Sequence, residues 1–385
     1  MPDDEHAAIP ADEHAAIPAD GRQPRRGRSR LTRPFGIGSS GDHVRDLQRR
    51  LSALADSEPC PLTGVFDETT RRALESFQND RAMDVDGIVG TDTWQALVEA
   101  GVRLGDRPLY LTSPQLRGDD VADLQQMLST LGFGSGRIDG ILGNRTALSL
   151  VEFQVNAGLS GDGVCGPRTI TALARLLRPL PRGRAVAHIQ ERRRMGVRAD
   201  VGDSVAGALA DVASDGRSNG DPDAPAAGRR IAVGEPGGLG IVVAALRRCL
   251  LRAGADVLPL CHPSWSAQAA QANEFGADVY VACELRPAPP SVSYFKGRHF
   301  TSELGRRLAD KTAECLEPVV GPVERCGRSF PMLRESQMPA VLVRLDDAAA
   351  AAEHARSIAD AAGAAVVDLL TGVDLTSPSD SRAEL

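Results

Sequence analysis

Gly41–Leu54 reads GDHVRDLQRRLSAL, and Gly118–Leu131 reads GDDVADLQQMLSTL. In the first stretch Val44, Leu47, Leu51 and Leu54 recur at intervals of three and four residues, which puts them on one face of a helix. The likeness runs on. Thr70, Phe77 and Gln78 answer to Thr146, Phe153 and Gln154, and DGIVGTDTWQAL from Asp86 answers to DGVCGPRTITAL from Asp162. A second amphipathic helix is expected around TRRALESFQ and a third around DTWQAL. Each copy therefore predicts a small all-α three-helix domain, over residues 34–105 and 106–180. The D-G-x-x-G segments precede helices: glycine permits the tight turn, and Asp and Thr are good helix caps.

Outward from the repeat, the chain of 385 residues leaves room for a third folded unit. Residues 1–33 hold DEHAAIP twice and then an Arg-rich run, and neither part can bury a core, so a disordered tail is expected. A linker is expected over 181–228, ending in SDGRSNGDPDAPAAG, and a second polar tail over 373–385. Aromatics are only 4% of residues, which favours aliphatic cores in helices and buried parallel strands. A net charge of −7 of mixed sign offers no positive field for a phosphate backbone, so no nucleic-acid partner is expected. Seven cysteines, at 60, 165, 249, 261, 283, 315 and 326, form no C-x-x-C pair and read as buried free thiols. MPDDEHAAIP has neither the basic nor the apolar stretch of a secretory signal, and no run approaches the ~20 apolar residues of a membrane span. The expectation is a cytoplasmic protein that is not an integral membrane protein, with export to the cell wall as the alternative.

Residues 229–372 alternate short apolar runs with longer amphipathic ones: RRIAVGEP, IVVAALRRCLLRAG, ADVLPLC, a polar helix ending NEFGA, and DVYVACEL. A helix around FTSELGRRLADKTAECLEPV, a strand PAVLVRL and a last helix through EHARSIADAAGAAVVDLLTG follow. This order predicts an α/β domain with a mostly parallel sheet covered on both faces.

The repeated V-x-x-L-Q-x-x-L, F-Q and D-G-x-x-G elements resemble the peptidoglycan-binding type 1 family. That resemblance implies peptidoglycan or a muropeptide precursor as partner. It makes Asp86, Gly87, Gly90, Asp162, Gly163 and Gly166 candidate ligand-binding residues, with pure turn-building as the competing role. The third unit, through NEFGADVYVACEL and SQMPAVLVRLDD, resembles the N-acetylmuramoyl-L-alanine amidase type 3 family. In that family a zinc ion is held by a His after the first strand, a Glu on the next helix and a His ending the A-D strand, and a Glu on the P-A-V-L-V-E strand is the general base. Such a site needs three protein ligands, a water and a carboxylate to take its proton.

Here GEPGGLG (Gly234–Gly240) has no His, and the loop to the Glu ligand is missing because the helix begins almost at once. Ala282, Cys283 and Glu284 stand where Ser-Ile-His is expected, and Arg344 occupies the general-base position. Arg neither deprotonates at working pH nor binds zinc. The expectation is no catalytic residue and no cofactor: a pseudo-amidase that binds and regulates. A zinc-dependent amidase cleaving the muramoyl-L-alanine bond and a passive cell-wall-binding module are the competing functions. A relocated zinc site would draw on Cys261, His262, Cys283 and Glu284 at strand carboxyl ends. GEPGGLG reads as a remnant turn rather than a phosphate-binding one. The whole arrangement resembles noncatalytic regulators of cell-wall precursor synthesis, which implies the pathway's enolpyruvyl transferase and a Ser/Thr kinase as partners. Thr376, with Ser377, Ser379 and Ser381 nearby, is the candidate phosphorylation site.

Overall fold

The computed structural model describes residues 33–54, 60–177 and 224–372. The expected N-terminal tail apart from Arg33, the linker up to residue 223, and the C-terminal tail with Thr376 lie outside the described residues. The first module is built from α1 (Asp42–Ser52), α2 (Glu68–Asp80) and α3 (Thr91–Ala100), and the second from α4 (Asp119–Thr130), α5 (Asn144–Asn156) and α6 (Pro167–Leu176). The apolar stripe read from the sequence is the core: Val44, Leu47 and Leu51 meet Leu74, Phe77 and Leu97, and Val121, Leu124 and Leu128 meet Leu150, Phe153 and Leu173. The expected Asp and Thr caps before α3 and α6 are not used. Gly90 and Gly166 are the N-caps and no side chain caps either helix, whereas Asp67 caps α2 by accepting from the Thr70 amide.

The third domain runs β1 (Arg230–Glu235), α7 (Gly240–Arg252), β2 (Asp256–Cys261), α8 (Trp265–Phe275), β3 (Val279–Leu285) and β4 (Ser291–Phe295). It continues with α9 (Glu303–Val320), β5 (Glu324–Arg328), α10 (Pro331–Glu335), β6 (Ala340–Leu345), α11 (Ala348–Glu353) and α12 (Ala355–Gly372). The six strands lie in the order β2-β1-β3-β6-β4-β5. β1, β2, β3 and β6 are parallel; β4 runs antiparallel to β6 and parallel to β5. The fold class is thus two three-helix modules followed by an amidase-like α/β domain with a mostly parallel sheet.

Alternation along the strands divides the core in two. Ile231, Val233, Val281 and Val341 face Leu246 of α7, Leu308 of α9 and Ile358 of α12. On the opposite face Ala232, Tyr280, Ala282 and Leu342 meet Ala272 of α8 and Met332 and Leu333 of α10. These helices are short, and the second module completes the layer: its Ile138, 3% exposed, belongs to this core, and Ala122 packs against it.

Candidate functional site

The D-G-x-x-G residues divide into two groups. Asp86 accepts from the Ile88 amide at 2.9 Å and from Gln78 Nε2 at 2.7 Å; Asp162 accepts from Val164 at 2.9 Å and from Gln154 Nε2 at 2.8 Å. Gly87 and Gly163 sit at φ of 64° and 70°, a region that L side chains avoid, and a Cβ on Gly87 would lie 3.1 Å from the Arg71 and Glu75 side chains. These four residues build the turn. Gly90 and Gly166 have ordinary φ and nothing within 4 Å of an added Cβ, so the turn itself does not require glycine there. Asp86 and Asp162 are nevertheless exposed, and Val85, Ile88 and Ile37 expose apolar surface at 48%, 45% and 62% in the first module.

What organises each turn is a buried glutamine. Gln154 accepts from the Gly163 amide and donates to Asp162, the Val164 carbonyl and Thr169. Gln78 does the same for the turn at Gly87, Gln48 for the turn at Gly64, and Gln125 for the turn at Gly140. Each module therefore holds two such turns, one after each of its first two helices. The half-module repeat is hidden in the sequence because only the glutamine and a glycine mark it.

At the carboxyl ends of β3 and β6, Glu284 and Arg344 are partners in register. Arg344 donates from Nε to Glu284 Oε2 at 2.8 Å and from Nη1 to Asp84 Oδ1 of the first module at 2.8 Å, its side chain 8% exposed. Its guanidinium lies 4.3 Å from the Phe330 ring centroid, and Arg286 approaches Asp84 at 3.4 Å. Around this pair the Ala82 carbonyl accepts from the Ser329 amide at 2.9 Å, and the Met83 carbonyl accepts from Arg328 at 3.1 Å. The segment after α2 thus fills the place where open α/β sheets ordinarily take ligands. Asp84 escapes a reading of the sequence because an exposed-looking acid between Met83 and Val85 carries no motif.

The four residues of the relocated zinc site are not brought together. Cys283 points into the core facing α7, where burial, reinforced by the Glu235 charge, pushes its thiol up to about 12. Glu284, on the other face, is held by Arg344. His262 is exposed and accepts from the Ser264 amide through Nδ1; against the expectation of buried thiols, Cys261 is exposed, because it ends the edge strand β2, and Cys249 and Cys315 are only half-buried on helices. Among the described residues no three of His, Cys, Asp and Glu converge as metal ligands. The described residues therefore do not fit a catalytic zinc. In GEPGGLG the Glu235 carboxylate, 6% exposed, accepts from the Leu239 amide at 2.6 Å, so an acid already occupies the start of α7 where a phosphate would bind.

Residues 40–97 and 117–173 match the putative peptidoglycan binding domain. Modules and sheet together define a tandem peptidoglycan-binding protein with an amidase-like domain. The chain is 34% identical over 297 residues to N-acetylmuramoyl-L-alanine amidase CwlM of Mycobacterium tuberculosis, a match covering 72% of this chain and 71% of that relative. It belongs to the CwlM-like family of N-acetylmuramoyl-L-alanine amidases. A probable N-acetylmuramoyl-L-alanine amidase of Bacillus licheniformis is 32% identical over 157 residues, 37% of this chain and 44% of the relative. Among solved structures, the apo form of the amidase Ami1 from Mycobacterium abscessus aligns with 37% of this chain and 99% of its own at 18% identity and a TM-score of 0.32.

Proposed function

We propose that this protein is a noncatalytic, peptidoglycan- or precursor-binding regulator of cell-wall synthesis whose third domain is a pseudo-amidase. The observation that carries the reading is the buried Arg344, fixed between Glu284 and Asp84 where the amidase resemblance places a general base. A guanidinium cannot take a proton from water, and its two carboxylate partners are spent in neutralising it. The modules supply binding through their exposed turns at Asp86 and Asp162, with Gly90 and Gly166 open beside them. The seven cysteines are all free, which suits a reducing compartment and hence a cytoplasmic place of action. On this reading the partners are the enolpyruvyl transferase of precursor synthesis and a Ser/Thr kinase acting on Thr376.

The test uses the purified full chain. It should sediment with peptidoglycan, hold well under one zinc per chain by metal analysis, and release no peptide from peptidoglycan with or without added zinc. Peptide release with stoichiometric zinc would make it a hydrolase instead.

A further inference from the structure

The outward face of α5 carries an apolar stripe that its counterpart α2 lacks. Leu148 and Val155 are 70% and 62% exposed and half-buried Val151 lies between them, so spacings of three and four residues place all three on one side of the helix. With Thr70 matched to Thr146 and Gln78 to Gln154, the same positions of α2 hold Arg72, Glu75 and Asn79, the ordinary polar face of a surface helix. The second module docks on the third domain through Ile138 and Ala122, and the stripe stays open in the assembled chain. Beside it runs Gly161, where an added Cβ would stand 2.9 Å from a methyl of Val155 and 3.4 Å from one of Val151, so no side chain shields the valines from that loop position.

The charges at the edge of the stripe select what covers it. Arg145 and Glu152 lie two helical turns apart on one flank; both are exposed, and neither is in an ion pair among the described residues. Asn144 and Val151 form the other flank. A two-fold axis relating two antiparallel helices keeps like flanks together and reverses their order. With that axis level with Leu148 and Ser149, the two Leu148 side chains meet, and Arg145 of each copy stands opposite Glu152 of the other. A parallel pair would instead set Arg145 and Glu152 against Asn144 and Val151, leaving both charges unmatched. The flank is therefore complementary to itself, and in the antiparallel sense.

We infer that α5 is a self-association surface whose occupant is a second copy of this chain, packed antiparallel about Leu148. One helix pair covers less than the ~800 Å² per partner of a standard interface, so the dimer is weak and forms as concentration rises. Gly163, in the turn at Asp162, borders the stripe, a Cβ added to it falling 3.3 Å from Val151. The two-fold axis thus brings one such turn from each copy to the same side of the pair. This pairing is independent of the wall-binding reading.

Sedimentation velocity of the full chain, from low micromolar to near-millimolar concentration, tests it. The weight-average mass of wild type should climb toward twice that of the monomer. Leu148→Glu should stay monomeric throughout, and because Leu148 is exposed, its melting temperature should match that of wild type. Arg145→Glu and Glu152→Arg should each weaken association roughly tenfold or more by setting like charges opposite one another, and the double change Arg145→Glu/Glu152→Arg should restore it. A wild type that remains monomeric overturns the pairing; if Leu148→Glu then also lowers sedimentation with peptidoglycan, the stripe faces the wall polymer instead. A dimer that survives Leu148→Glu uses another face, and a double change no better than the single ones excludes the antiparallel contact; either result overturns the pairing as well.

Discussion

Arg344 shows how one substitution changes the meaning of its neighbours. Beside a general base, Glu284 would be a third acid in a crowded site; beside a guanidinium it becomes half of a buried ion pair. Removing one member of such a pair leaves uncompensated charge and typically costs about 3–5 kcal/mol. Arg344→Ala should therefore lower the melting temperature sharply, and Arg344→Glu more so, since a carboxylate would then face Glu284 and Asp84. Differential scanning fluorimetry checks the stability losses, and a peptide-release assay should find Arg344→Glu as inactive as wild type because the zinc ligands are missing too; recovered hydrolysis would mean that a metal site survives and that Arg344 alone silences the domain. The identity of Arg344 was legible in PAVLVRL, and so was the absence of the family's acid. Its partner Asp84, 260 residues away, was not, because nothing local distinguishes an acid that pairs across domains from one that meets water.

At the scale of elements, the helical stripes and the long strands were readable because burial imposes a period on them. β4 and β5 were not anticipated. SVSYF follows a proline-rich turn, and ERCGR is an edge strand with only Cys326 buried, so neither presents a continuous apolar run. The glutamine-held turns were half legible. The F-Q pair recurs, but that Gln78 and Gln154 reach eight to ten residues ahead to hold a loop is a matter of three-dimensional reach. Each glutamine satisfies several buried backbone and side-chain groups, and each group stranded by its loss costs about 1–3 kcal/mol. Gln154→Ala should accordingly destabilise the second module strongly. Asn156→Ala, which removes an exposed side-chain bond two residues on, should stay within about 0.5 kcal/mol of wild type in chemical denaturation. Similar losses for the two variants would mean that the glutamine does not organise the turn.

The whole molecule is joined by contacts of two kinds. Ion pairs tie the modules to the third domain and to each other, while Ile138 carries an apolar anchor from the second module into the sheet's core. Arg137 reinforces the anchor, its guanidinium 4.7 Å from the Phe295 ring centroid and its Nη1 donating to the Ser336 carbonyl. None of this was legible in the sequence, where Ile138 lies in a Gly-rich loop and the arginines look like solvated surface. Ile138→Asp should detach the second module: limited proteolysis should release it intact, and small-angle scattering should show a larger radius of gyration. An unchanged radius would mean that the ion pairs suffice. The bidentate Arg81–Asp119 contact, at 2.6 and 2.7 Å, has a further consequence. It holds the two modules at a fixed separation, so their exposed turns cannot search independently as two heads on a flexible tether would. On the proposed reading that these turns bind, simultaneous engagement, and the avidity that comes with it, is open only to a polymer whose repeat matches that spacing, and shorter fragments should bind as if to a single head.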